Sequence, residues 1–69
     1  MDLRQYRRQN RLTLSDIAEL MGHDNPATVH RHETGLRKPD ALTMDRYRKA
    51  TGGNVTFEDW VRLGKRAKK

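Results

Sequence analysis

The chain is predicted to fold as an all-α domain of five short helices, on three observations. Apolar residues recur at helical steps of three and four, and no stretch alternates with period two. Side chains that favour helix starts, Thr13, Asn25, Asp40 and Thr56, stand just before four of these runs. Glycines that favour helix ends, at 22, 35 and 52–53, close three of them.

The first helix is read from Leu3 to Gln9, with Leu3 and Tyr6, and Arg7 beside them, facing inward and Asn10-Arg11 as the exit. Thr13 is the expected N-cap of helix 2, with Asp16 at N3 completing a capping box and Leu12 and Ile17 at the spacing of a hydrophobic staple. Leu14, Ile17, Ala18 and Met21 then form the apolar face, and Gly22 supplies the positive φ that ends the helix. Helix 3 opens with Asn25 as N-cap and Pro26 at N1, where a missing N–H costs nothing, and runs to Glu33 or Thr34 before Gly35. Val29 and His32 are one turn apart and are expected in the core. Helix 4 follows Pro39 with Asp40 as cap, and Ala41, Met44, Tyr47 and Thr51 form its buried stripe. Helix 5 repeats the device that starts helix 2: Thr56 caps, Asp59 sits at N3, and Val55 staples to Trp60.

With 69 residues the chain is long enough for one domain, expected over 1–63, followed by a basic tail over 64–69 expected to be disordered. A domain this short buries only about 60% of its unfolded surface, so a large internal active site is not expected. Fifteen Lys and Arg stand against nine Asp and Glu, a net charge of +6 that favours polyanions as partners. There is no cysteine, which excludes disulfides and thiolate metal sites and fits a reducing cytoplasm. No apolar run approaches the ~20 residues that span a bilayer, and Met1-Asp2-Leu3-Arg4 does not open a secretory signal. The expectation is a soluble cytoplasmic protein with no membrane partner.

The helix 2–helix 3 segment carries the functional signal. Ala18 is small enough for two helices to cross closely, Gly22 permits the turn, and Val29 points back to the core. These are the mechanical needs of a helix-turn-helix, whose second helix enters the DNA major groove N-terminus first. Thr28 and Arg31 share a face of that helix, with His30 nearby and Asn25 and Ala27 at its start. Arg31 could grip guanine O6 and N7 with two hydrogen bonds. Thr28 could offer a hydroxyl to a base or phosphate and a methyl to thymine. Arg37 and Lys38 in the following loop suit the phosphate backbone.

Taken together, Leu-Thr-x-x-x-Ile-Ala-x-x-x-Gly (12–22), Val-x-Arg-x-Glu-x-Gly (29–35), Arg-Lys-Pro (37–39) and Thr-Gly-Gly-Asn-Val-Thr (51–56) resemble the lambda-repressor-like, Cro-type helix-turn-helix family of short phage and prophage regulators. The likeness spans nearly all of Leu3 to Trp60. It implies that Asn25, Pro26, Ala27, Thr28 and Arg31 meet DNA, that Arg37 and Lys38 contact its backbone, and that Thr13 also touches phosphate. It implies that Arg7 and Glu33 form a structural ion pair. It further implies a homodimer, joined through helices 4 and 5, repressing transcription from a palindromic operator in a bacterial or phage-infected cell. Phe57, expected to be exposed, is the candidate dimer contact.

Three departures bear on that likeness. The stretch from Gly22 to Glu33 is one residue longer than the usual spacing, an insertion in His23-Asp24-Asn25. Pro26 stands where relatives carry a base-reading polar side chain, which shifts reading towards Thr28, His30 and Arg31. Leu14 stands where a glutamine frequently contacts phosphate.

Other readings stand beside this one. The three histidines, at 23, 30 and 32, could suggest a metal, but His30 and His32 are two apart and lie on different helix faces, so no metal or other cofactor is expected. An antitoxin that acts by covering a protein partner could share the fold, and a nucleoid-type protein could bind DNA without sequence preference. Basic residues of the tail, Arg62, Lys65, Arg66, Lys68 and Lys69, could add non-specific attraction to DNA. An enzyme is not expected, because no carboxylate pair, nucleophile–base pair or metal-ligand spacing shares a surface.

Overall fold

Each helix begins where a side chain replaces a missing backbone partner. In the computed structural model, Asp2, Thr13, Asn25 and Asp40 are extended residues whose side chains accept the N–H of Gln5, Asp16, Ala27 and Thr43. The helices that follow are α1 (Leu3–Gln9), α2 (Leu14–Leu20), α3 (Pro26–Thr34), α4 (Ala41–Ala50) and α5 (Phe57–Ala67). The structure describes residues 1–22 and 25–67, with the side chains of 66 and 67 outside the description. Among the described residues there is no strand. His23 and Asp24, where the insertion was expected, and Lys68 and Lys69 of the expected tail, lie outside the described residues.

Helix ends follow backbone chemistry. Gly22 and Gly35 take the left-handed conformation, at φ 90° and 82°. At the exit of α1 that conformation falls to Arg11 (φ 54°), which lacks glycine's freedom. The N–H of Leu12 then reaches back to the carbonyl of Arg7 at 2.9 Å and closes the helix end.

The core is Leu3, Ile17, Ala18, Met21, Val29, Met44, Tyr47, Val55 and Trp60, each 5% exposed or less. Every helix contributes, so none could bury its apolar stripe alone. α2 packs on α3, α1 also touches α3, and α4 packs on α5. A polar aromatic cluster joins the two groups. His32 Nδ1 lies 2.8 Å from the Tyr47 hydroxyl. The Tyr47 and Trp60 rings are 5.0 Å apart, and the His32 and Trp60 rings meet edge-on at 6.5 Å. The result measures 30 × 23 × 23 Å, and no helix of the described residues is long and apolar enough to cross a membrane.

Two expectations are corrected. Ala41 does not join the buried stripe of α4; it is exposed, because at the first position the helix has not yet reached the core, and the preceding Pro39 is buried instead. The tail does not begin at 64. α5 continues through Gly64 to Ala67, and Gly64 is absent from the glycines with positive φ. A glycine inside a helix costs only about 1 kcal/mol relative to alanine, too little to end one whose Leu63 packs against the core.

Candidate nucleic-acid interface

The surface of α3 divides cleanly. Val29, His32 and Glu33 are buried, while Ala27, His30 and Arg31 are exposed and Thr28 and Thr34 are half-buried. With each residue turned by roughly 100° from the last, His30, Thr34, Ala27, Arg31 and Thr28 cover an arc of about 160°, with Pro26 exposed just beyond His30 at the first position. Ala27, Arg31 and Thr34 run along its centre. Arg31 is therefore the central charged side chain of the exposed face, with a small alanine one turn before it.

α3 starts at Pro26, the position expected for it. Asn25 is exposed, and its Oδ1 accepts the Ala27 N–H at 2.8 Å. That oxygen is engaged in the cap, and the amide nitrogen remains as the group able to donate outward. Thr34 has less to offer, because its hydroxyl donates to the carbonyl of His30 at 3.0 Å.

Thr13 is exposed at the start of α2. Its Oγ1 accepts the Asp16 N–H at 3.1 Å, while its own N–H donates to Asp16 Oδ2 at 2.8 Å. The Thr13 N–H first, and the Thr13 side chain second, hold the Asp16 carboxyl below its ordinary value of 3.8. Leu14, one position on, is half-buried against the core.

Behind this face stands the ion pair of Arg7 and Glu33. Arg7 Nε lies 2.9 Å from Glu33 Oε1, and the Glu33 side chain is 1% exposed. Arg7 Nη1 also donates to the carbonyl of Leu12 at 3.2 Å, so one guanidinium ties α1 to its own exit and to the end of α3. Removing one partner of such a pair is far costlier than the pair's net worth, because a buried charge is left alone. The pair ties α1 to the end of α3, with the carboxylate buried and the guanidinium 20% exposed.

After α3 the chain folds back, with the N–H of Arg37 donating to the carbonyl of Arg31 at 3.2 Å. This return and the buried Pro39 bring the loop and the start of α4 alongside the start of α3. An open groove of about 310 Å³ results. Asn25 and Thr28 line it from α3, Arg37 and Lys38 from the loop, and Thr43 and Arg46 from α4. His32, Pro39 and Asp40 complete the lining. Thr43 holds the Asp40 carboxyl below its ordinary range through its side chain and N–H, helped by the charge of Arg46.

Sequence reasoning singled out every one of these groove residues except Thr43 and Arg46. Its only available signal was that the two are one turn apart on α4 and lie off the Met44–Tyr47–Thr51 stripe. What places them beside α3 is the folded-back loop, which no local pattern encodes. Phe57 lies apart from the groove on α5, 57% exposed, with Val61 one turn on at 38%.

Comparison with protein-family models, with curated proteins and with solved structures finds no match to this chain.

Proposed function

We propose that the protein is a sequence-specific DNA-binding regulator of transcription, acting as a homodimeric repressor on a palindromic operator, as the resemblance to lambda-repressor-like phage regulators implies. α2 and α3 act in this reading as a helix-turn-helix. The observation that carries it is the exposed face of α3: Arg31 at its centre, Thr28 and His30 at its edges, Asn25 and Ala27 at its start, and Arg37 and Lys38 immediately beyond. Base edges are read by the helix, while the loop and Thr13 hold phosphates that fix register without sequence information. The net charge of +6 adds long-range attraction to DNA. Phe57 is the proposed dimer contact. The chemistry supported is binding, in the cytoplasm and on the nucleoid, rather than catalysis.

The test is selection of bound sequences from a random duplex pool at physiological salt. The expected outcome is a symmetric site with half-sites ~10 bp apart. Arg31→Ala should relax preference at one position and cost about 1–3 kcal/mol on the selected site. Recovery of no preferred sequence would overturn the reading. Equal weakening of Arg31→Ala on all sequences would point to nucleoid-type binding, and a stoichiometric protein partner that blocks DNA binding to an antitoxin.

A further inference from the structure

We infer that the groove between α3 and α4 seats a single phosphate of the DNA backbone, and that Arg46 is one of its binding residues. The inference rests on the reading of α3 as the DNA-facing helix and deepens it. Its basis is a difference among the basic residues of α4. Arg48 and Lys49 share the single carboxylate of Asp45, at 2.9 and 3.2 Å. Arg46 forms no ion pair among the described residues, is exposed, and lines the groove.

Arg37 and Lys38 reach the same groove from the loop, also exposed and without an ion pair among the described residues. Three cations from two parts of the chain, none in an ion pair among the described residues, thus share one concavity. Its one carboxylate, Asp40, caps α4 through the Thr43 N–H at 2.8 Å and interacts with the charge of Arg46, which leaves three cations against one anion. A site with net positive charge and neutral donors from Thr28 and the Asn25 amide matches a phosphodiester, whose charge is spread over two oxygens. A guanidinium can hold both at once. Asn25 and Thr28 belong both to this groove and to the start of α3. A phosphate held here therefore lies beside the strand whose bases α3 reads, and fixes how far the helix enters.

The experiment is equilibrium binding of the full chain to its selected duplex over a salt series, with phosphate-ethylation interference on the same duplex. The proteins compared are the wild type, Arg46→Ala, Arg46→Lys and Arg48→Ala. Arg46→Ala should reduce the slope of log K against log salt by about 0.9, which makes binding about eightfold weaker at 0.1 M salt and less so as salt rises. Interference at one phosphate per half-site should vanish, and base preference should stay unchanged. Arg46→Lys should keep most of the slope, and Arg48→Ala should match the wild type within about twofold, its charge being already paired. An unaltered melting temperature for Arg46→Ala shows that the fold is intact. The inference is overturned if Arg46→Ala binds with wild-type slope and interference, or changes base preference. Wild-type protein that binds no duplex even at low salt overturns the DNA reading itself, a result distinct from either.

Discussion

Two helix starts in this chain are written almost alike and are built into very different surroundings. α2 begins Leu12-Thr13-x-x-Asp16-Ile17 and α5 begins Val55-Thr56-x-x-Asp59-Trp60. In both, the threonine and the aspartate exchange hydrogen bonds across the first turn. At α2 the carboxylate is exposed and serves only the turn. At α5 it is 5% exposed. There it accepts the Thr56 N–H and hydroxyl, pairs with Arg62 at 3.0 Å, and lies 3.0 Å from the Met1 ammonium. Leu12 is half-buried, whereas Val55 is wholly buried. A capping box decides where a helix starts; the surroundings decide how much the protein depends on it.

The largest effects should come from the staple residues, where the two starts are expected to behave alike. Trp60→Ala should cost about 4 kcal/mol and Ile17→Ala about 3, since both leave a cavity in the same core. Urea denaturation midpoints check this, and a loss below about 1 kcal/mol at Trp60 would show that α5 is not anchored there.

The carboxylates should then separate the two starts. Asp59→Ala strands the partly buried Thr56 N–H and the Met1 ammonium and should cost about 2 kcal/mol. Asp16→Ala leaves its partners to water and should cost clearly less. Equal losses in the same denaturation series would erase the distinction. Thr13→Ala should cost about 1 kcal/mol, an ordinary N-cap loss. It should also weaken DNA binding if its hydroxyl meets a phosphate, so the two effects need separate measurement.

Acid should produce the smallest and most graded effect. Burial alone would raise the Asp59 carboxyl, but the Thr56 N–H, the Met1 ammonium and the Thr56 hydroxyl outweigh it and leave the group below 3.8. Asp16 lies below the same value through its bonds to Thr13. A carboxyl depressed in the folded state stabilises it above the unfolded value, and that contribution is lost as pH falls through the folded one. The melting temperature should therefore hold above about pH 5 and decline below about pH 4. Asp59→Ala should decline less steeply than the wild type; an unchanged acid slope would remove Asp59 as a contributor.

The caps at Thr13, Asn25 and Asp40, the proline at N1 of α3 and the glycine ends were legible because each acts within one turn of chain. The inward roles of Val29, His32, Met44 and Tyr47 were legible from helical period. Ala41 was misplaced because a period does not say where a helix first meets its neighbours. The end of α5 was misplaced because Gly64 reads as a stop only when its backbone can leave the helical conformation. Of the candidate interface, the exposed face of α3 followed from the pattern, and the contribution of Arg46 did not.

The sequence by itself determined the helices, their starts, the face of α3 that is turned outward, and the positive charge available to meet a polyanion. These depend on residues within a few positions of one another and on composition. Only the tertiary structure decided which of two matching aspartates is buried. Only it decided that Arg37 folds back onto Arg31, and that Arg46 lines one groove with Asn25 and Thr28. Those outcomes depend on side chains far apart in the chain, brought together when five short helices bury one common core.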